Sequence, residues 1–205
     1  MTSPLPCLPP VSWLAQARQT GHVVLDVHEN YQKGTLRNRY YIAGPNGPQR
    51  LSIPLVKGKN QQQNIREVRI AYDEPWQRQH WRSIRTAYGN APYWDFFSEA
   101  LAPFFEKKHP FLFDFNLELL QWWLKESGCP LSLTFTESYT GNLKGDDRVL
   151  LASNPEEWPA GFRAAAYPQV FLEKQGFLPN LSGLDLLFCS GKRATEILEK
   201  SWLPS

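Results

Sequence analysis

Cysteine is scarce in this 205-residue sequence. The three cysteines lie far apart, at positions 7, 129 and 189, and none belongs to a Cys-x-x-Cys motif. An odd number at this spacing predicts neither a disulfide framework nor a zinc site. Because unpaired cysteines are typical of a reducing compartment, we expect a cytoplasmic protein.

Long hydrophobic runs are missing as well. No stretch approaches the roughly 18 consecutive apolar residues that a membrane-spanning helix needs, so we expect no membrane span. The first ten residues contain four prolines and no basic segment ahead of an apolar one, and we expect no signal peptide. Linker-like stretches rich in Gly, Ser or polar residues are absent too, which favours one domain over residues 1–205.

The common motifs of nucleotide-binding, zinc-protease and hydrolase families are also lacking. The chain contains no GxGxxG, no GxxxxGK[ST], no HExxH and no GxSxG. These classes lose support, and the sequence indicates neither a cofactor nor a set of metal ligands.

Aromatic residues, by contrast, are plentiful. The chain has eight Trp, eight Tyr and twelve Phe residues, and it is 42% hydrophobic and 20% charged. This composition supplies ample apolar area for a core and argues against disorder.

Positive charge is concentrated in one part of the chain. From Lys33 to Arg85 there are eleven Lys and Arg residues but three acidic ones, whereas the whole chain has a net charge of +2. A basic segment of this kind suggests an anionic partner, such as a nucleotide-sugar, another phosphorylated molecule or a nucleic acid. A solvated basic surface explains the pattern equally well.

Helix signals recur along the chain. Proline in the first turn and glycine after the last turn mark several helix ends. The predicted helices cover residues 10–21, 75–89, 95–107 and 112–126, a segment that starts at Asn154, and residues 182–191. In the second of these, Arg78, Arg82 and Arg85 share the face opposite the apolar residues.

Alternating or β-rich segments lie between these helices. The predicted strands cover residues 22–28, 39–43, 50–56, 65–70 and 131–136. The second and third of them flank an Asn46-Gly47 turn, which predicts a hairpin. Helices and strands therefore mix along the chain, and we expect an α/β or α+β fold in which a mixed β-sheet packs with several helices.

Asp26 and His28 are the strongest acid/base candidates. On a strand, residues two apart point to the same face, so these side chains, with His22 further back, could converge on a proton or a metal. The alternative is that they form the polar, solvent-facing side of an edge strand.

The segment 31–39 is dense in side chains that bind anions. Arginine and lysine give phosphate or carboxylate charge-assisted hydrogen bonds, and binding residues concentrate on loops. We therefore predict substrate binding by Tyr31, Lys33, Arg37, Asn38 and Arg39. Alternatively, Arg37 and Arg39 pair with acidic residues of the C-terminal half.

Three other residues are weaker candidates. His80 borders the apolar face of its predicted helix, where it is either a general base or a hydrogen-bonded boundary histidine. Asn180 and Ser182 precede a predicted helix, and the N–H groups at that end favour a phosphate. Plain capping of the helix by Ser182 and Asp185 explains the same residues.

Several segments resemble the WbqC-like family of bacteria when they are taken together and in order. They are PPVSW at 9–13, ENYQK at 29–33, RNR at 37–39, NGPQ at 46–49, LSIP at 51–54, PW at 75–76, HW at 80–81, YGNAPY at 88–93, GFLPNLS at 176–182 and DLLF at 185–188. The resemblance implies a role in O-antigen or other cell-surface polysaccharide biosynthesis. Many members open with a His-Gln-Pro motif, which this chain lacks.

Two classes of function fit these features. One is an enzyme, such as a transferase, that modifies a nucleotide-activated or phosphorylated sugar, with Asp26, His28 or His80 handling the proton. The other is a non-catalytic protein that binds an anion, RNA or DNA, with aromatic residues such as Tyr40 and Trp76 stacking on bases. A scaffold in a complex is a third interpretation.

Overall fold

The computed structural model describes residues 1–56, 63–138 and 158–203. Its strands are β1 (Thr2–Ser3), β2 (His22–Leu25), β3 (Arg39–Gly44), β4 (Gly47–Ser52) and β5 (Ser132–Phe135). A parallel sheet has the order β1–β2–β5, and β3 and β4 form an antiparallel hairpin. The predicted combination of helices with both parallel and antiparallel strands is confirmed.

Helices surround these strands. They are α1 (Val11–Thr20), α2 (Trp76–Tyr88), α3 (Trp94–Leu101), α4 (Leu112–Ser127), α5 (Leu172–Gln175), α6 (Gly183–Ser190) and α7 (Ala194–Lys200). Gly21 and Gly128 end α1 and α4 in the left-handed conformation, with φ of 66° and 67°, as expected for C-terminal glycine caps. Within the described residues, no helix is both long and apolar enough to span a membrane.

Three predicted elements differ from those observed. The strand predicted at 22–28 ends at Leu25, because the Asp26 side chain then accepts the backbone N–H of His28. Residues 65–67 form a 3₁₀ turn, since Asn64 accepts the backbone N–H of Arg66. The helix predicted at 95–107 becomes 3₁₀ after Leu101, where Pro103 lacks an N–H to donate.

The strand predicted at 50–56 is shifted to Gly47–Ser52, and the other predicted helices and strands of the described residues are present. The predicted hairpin pairs Arg39 with Ser52 and Gly44 with Gly47. The helix predicted to begin at Asn154 falls outside the described residues. The expectation of one domain over residues 1–205 stays a prediction.

Gly183 is the point where α1, α4 and α6 meet. A Cβ atom at this position would lie 2.7 Å from Leu14 Cδ1 and 2.7 Å from Trp123 Nε1. The Gly183 carbonyl accepts a 2.8 Å hydrogen bond from the Trp123 indole. Glycine is therefore required for the close packing of these helices.

A short segment before α6 caps the N-terminus of α1. Asn180 Oδ1 accepts the backbone N–H of Ser12 at 2.8 Å, and the Leu181 carbonyl accepts that of Val11 at 2.9 Å. These two bonds satisfy N–H groups that a helix leaves free at its start. Because α1 leads directly into β2, the cap also fixes where β2 begins.

A buried carboxyl group holds this segment from the other side. Asp185 Oδ2 accepts hydrogen bonds from the Tyr167 hydroxyl and from Gln169 Nε2, each at 2.7 Å. Gln169 also bonds the backbone N–H and carbonyl of Leu178. Burial raises the pKa of Asp185 to about 6, although bonds from Tyr167, Gln169 and Tyr88 oppose the rise.

We expect substitution of Asn180 to separate capping from backbone strain. Asn180 has a φ of 59°, so Asn180→Gly keeps the backbone conformation and loses the hydrogen bond to the Ser12 N–H, at about 1 kcal/mol. Asn180→Ala also places Ala in the left-handed region, which costs about 1 kcal/mol more. Urea unfolding of the two variants measures both effects. Wild-type stability of Asn180→Gly would contradict the capping role.

Asp185→Asn should flatten the pH dependence of stability. The folded pKa of about 6 exceeds the ordinary value of 3.8, so the folded state binds the proton more tightly. The Asp185 contribution to the free energy of unfolding therefore falls by roughly 3 kcal/mol as the pH rises from about 4 to about 6. Urea unfolding at several pH values checks this, with Asp95→Asn as a control for net charge. Parallel profiles of wild type and Asp185→Asn would exclude this explanation.

Candidate functional site

The candidate site begins at the carboxyl edge of the parallel sheet. β2 and β5 end side by side at Leu25 and Phe135, and Asp26 and Thr136 follow them. The Thr136 hydroxyl donates to Asp26 Oδ1 at 3.2 Å. In open α/β sheets, ligands bind outside this edge of the strands.

Asp26 and His28 are close, but they contact each other through the backbone. Asp26 Oδ1 accepts the backbone N–H of His28 at 3.0 Å. Asp26 is 1% exposed, whereas His28 is half-buried. The alternative that both residues form the solvent-facing side of an edge strand is wrong for Asp26, because Asp26 is buried and follows the end of β2.

His22 lies at the opposite end of β2 from these two residues. One of its ring nitrogens is 2.7 Å from Ser132 Oγ, and the other is 3.1 Å from Thr134 Oγ1. Both nitrogens are thus occupied by β5, and the structure does not bring His22 to Asp26.

Arg37 is held in a buried ion pair. Its Nε donates to Glu29 Oε1 at 2.8 Å, and a second guanidinium nitrogen donates to Glu29 Oε2. The remaining nitrogen donates to Thr35 Oγ1 at 3.1 Å. The partner of Arg37 is therefore Glu29 and not an acidic residue of the C-terminal half.

Both charges of this pair are removed from water. The side chains of Arg37 and Glu29 are 3% and 8% exposed. Burial raises the pKa of Glu29, the charge of Asp26 adds to the rise, and the Arg37 guanidinium opposes it. Asn116 of α4 donates to the Arg37 carbonyl at 2.8 Å, which fixes the backbone of the pair.

Tyr31, Asn38 and Arg39 form the neighbouring part of the site. The Tyr31 hydroxyl donates to Asn38 Oδ1 at 3.0 Å, and Asn38 Nδ2 donates to the Ile53 carbonyl at 2.9 Å. Burial raises the pKa of Tyr31, while the charges of Arg39 and Arg37 oppose the rise. Both guanidinium groups thus lie near the phenol.

Arg39 differs from Arg37 in having no charged partner among the described residues. Its side chain is half-buried, and its Nε is buried without a hydrogen bond to any described residue. None of the ion pairs found among residues 1–56, 63–138 and 158–203 includes Arg39. Lys33, exposed in the preceding turn, is likewise outside those pairs.

His80 lies apart from this cluster, in the core. Tyr40 contacts it through a 2.9 Å bond between the hydroxyl and Nδ1, and Trp76 and Phe105 pack against the ring. Burial lowers the pKa of His80 to about 4, although a bond to the Ser52 backbone opposes this. Because neighbouring residues of a strand face opposite sides, His80 lies across the hairpin from Arg39.

Asn180 and Ser182 also lie elsewhere, at the junction of α1 and α6. The Asn180 amide caps α1, and the Ser182 backbone N–H bonds the Tyr41 carbonyl at 2.9 Å. The Ser182 side chain does not cap α6, since its backbone carbonyl accepts the Asp185 N–H instead. No observed hydrogen bond joins Asn180 or Ser182 to Tyr31, Asn38 or Arg39.

Sequence reasoning missed two members of the site. Glu29 is part of the ENYQK segment, and no local pattern predicts its pairing with Arg37 eight residues later. Thr136 gave no signal, because its role depends on the pairing of β5 with β2. In the described part of the chain, no group of three His, Cys, Asp or Glu residues is arranged to hold a metal ion.

Comparison with known proteins identifies the family. The sequence model of the WbqC-like protein family matches residues 6–155, which include the whole segment from Asp26 to Arg39. The motifs at 176–182 and 185–188 lie beyond the matched range. Neither curated proteins nor solved structures gave a match. Since the matched residues make up most of its length, the chain belongs to the WbqC-like protein family.

Proposed function

We propose that the protein binds a nucleotide-linked or phosphate-linked sugar at Tyr31, Asn38 and Arg39 and acts on it as a transferase or sugar-modifying enzyme. The pathway that we propose is O-antigen or other cell-surface polysaccharide biosynthesis in the cytoplasm of a bacterium. Membership of the WbqC-like family supports this context.

The Arg39 guanidinium is the observation that carries the proposal. It is half-buried beside a phenol and finds no ion pair in the described part of the chain. Holding a cation partly out of water costs free energy unless an anion or a set of acceptors compensates. A phosphate suits this role because the guanidinium fork matches two of its oxygens.

The neighbouring donors are already in use, which defines what remains for a ligand. Asn38 Nδ2 bonds the Ile53 carbonyl, and Tyr31 donates to Asn38. Arg37 bonds Glu29 and Thr35 with its nitrogens. Arg39, at the start of β3, therefore supplies the charge for the ligand together with the exposed Lys33 of the preceding loop, while Arg37 keeps that loop in place.

His28 is the side chain best suited to proton transfer. Asp26 is buried and hydrogen-bonded, and His80 is held neutral in the core. The His28 ring is half-buried and makes no hydrogen bond to a described residue, while Asp26 fixes its backbone. His28 would accept the proton of an acceptor hydroxyl while the oxygen of that hydroxyl forms a bond to the sugar carbon. The sugar–phosphate bond breaks, and the phosphate leaves with the electron pair, held by Arg39.

Binding of RNA or DNA loses support from the position of the aromatic residues. Tyr40 and Trp76 are 1% and 3% exposed, and Trp81 packs against Trp94 and Phe105. These rings therefore do not form a platform on which bases stack.

Stability should separate the two arginines. Arg37→Met leaves the Glu29 carboxylate buried and unpaired, and we expect a loss of about 3 to 5 kcal/mol in the free energy of unfolding. Arg39→Met removes no ion pair, so its loss should stay under about 1 kcal/mol. Denaturant unfolding measures both. The double variant Arg37→Met/Glu29→Met should recover part of the loss, and equal losses in the two single variants would contradict the assignment.

Ligand binding tests the proposal directly. We expect a nucleotide-sugar or sugar phosphate to raise the unfolding temperature of the wild type. Arg39→Gln should weaken its binding about tenfold to a hundredfold, whereas Arg50→Gln, at an exposed position of β4, should not. Calorimetric titration gives the affinities.

The same ligand distinguishes binding from catalysis. His28→Gln should keep the affinity and lower turnover by about a hundredfold or more, as expected for loss of a general base.

A shift of the unfolding temperature with oligonucleotides alone would favour nucleic-acid binding, and the absence of any shift would favour a scaffold. Either result would overturn the proposal.

A further inference from the structure

A second basic groove lies where three extended segments meet. Leu55 pairs with Ile70, and Arg69 pairs with Phe111, through isolated β-bridges. The groove between these segments has a volume of about 300 Å³, at the lower end of the range of small-molecule sites. It is lined by Val56, Arg69, Ile70, Tyr72, Lys108 and Pro110.

Tyr72 joins two of the segments rigidly. Its hydroxyl donates to the His109 carbonyl at 2.9 Å and accepts the His109 backbone N–H at 2.8 Å. The Ile70 N–H bonds the Pro110 carbonyl at 3.1 Å, and the Val56 N–H bonds the Arg69 carbonyl at 3.0 Å. The backbone around the groove is thus fixed before any ligand arrives.

Two cations face the groove, and each is held over an aromatic ring. The Arg69 guanidinium carbon lies 4.9 Å from the centre of the Phe111 ring, and Lys108 Nζ lies 5.2 Å from that of Tyr72. Both residues are exposed, so each cation–π contact favours this position of the charge only modestly. Among the described residues, no carboxylate forms an ion pair with either cation.

The remaining lining side chains are apolar. Val56, Ile70 and Pro110 offer no side-chain hydrogen bonds, and Val56 is 46% exposed. Burial raises the pKa of the Tyr72 phenol, although its bond with the His109 backbone opposes this. Tyr72 therefore adds no negative charge at neutral pH, and the groove combines two positive charges with an apolar wall.

We propose that this groove binds a phosphomonoester with an apolar substituent. The phosphate dianion lies between Arg69 and Lys108, and the substituent lies against Val56, Ile70 and Pro110. Two cations match the charge of a phosphate dianion, and the guanidinium bonds two of its oxygens. An apolar wall beside them favours an ester over inorganic phosphate. This site is independent of Arg39 and of the proposed function.

Titration of the full chain with hexyl phosphate and with inorganic phosphate tests the proposal. We expect hexyl phosphate to bind about tenfold tighter than inorganic phosphate because its chain is partly removed from water. Arg69→Gln/Lys108→Gln should weaken hexyl phosphate binding about tenfold or more. Lys107→Gln changes an exposed lysine next to the groove and should leave the affinity unchanged.

The location of the bound ester needs its own measurement. Hexyl phosphate should slow acylation of Lys108 by an activated ester, measured by peptide mass spectrometry, and should not slow that of Lys107. Arg39→Gln should keep this protection, which separates the groove from the site at Tyr31. Equal affinity for the two phosphates, no protection of Lys108, or wild-type binding by the double variant would each overturn the proposal.

Discussion

The buried ion pair between Glu29 and Arg37 is the interaction on which the candidate site depends. It joins the segment after β2 to the segment that enters β3, with both side chains under 10% exposed. Removing two charges from water costs several kcal/mol for each, and only close geometry with further hydrogen bonds offsets this. Thr35 and Asn116 supply such bonds, one to the guanidinium and one to the Arg37 carbonyl. The pair therefore holds the loop in one conformation, and Arg39 follows two residues later without an ion pair in the described part of the chain.

A second constraint acts over a much longer stretch of sequence. The cap that Asn180 provides for α1 joins residues 168 positions apart, and the buried Asp185 network holds the segment that carries it. Since α1 leads into β2, the C-terminal helices contribute to the position of the sheet edge where Asp26 lies. Asn180 and Ser182 thus contribute to the position of this edge through their hydrogen bonds to Ser12 and Tyr41.

Local sequence signals predicted most helices and strands, but they did not predict the contacts between distant segments. Backbone conformation within a few residues determines the helix ends at Gly21 and Gly128 and the hairpin turn at 44–47. Local sequence therefore predicted these features. The end of β2 reflects both the turn in which Asp26 accepts the backbone N–H of His28 and the pairing with Ser3 and Phe135, and only the first of these is local.

The candidate site was predicted less well than the elements that carry it, because the role of a charge depends on its partner. Arg37 and Arg39 have the same spacing as alternate residues of a strand, and the sequence gives both the same interpretation. In the structure, Glu29 neutralises Arg37, while Arg39 finds no acidic partner among the described residues. From the sequence, His80 is either a general base or a hydrogen-bonded boundary histidine. In the structure, burial and the bond to Tyr40 place it in the core.

The basic segment from Lys33 to Arg85 consequently divides into charges of different kinds. Its α2 members are exposed on the outer face of the helix, as the predicted helical spacing requires; they are Arg78, Arg82 and Arg85. A solvated charge is screened by salt and binds diffuse anionic surfaces weakly. Arg39 is instead half-buried, with its charge acting on the Tyr31 phenol, and Arg69 is exposed but lies over the Phe111 ring. Specific recognition of a phosphate needs a cation whose position is fixed in advance, because a mobile side chain must lose conformational freedom on binding. The net charge of the segment is thus a poor guide to binding. The surroundings of each individual cation are a better guide.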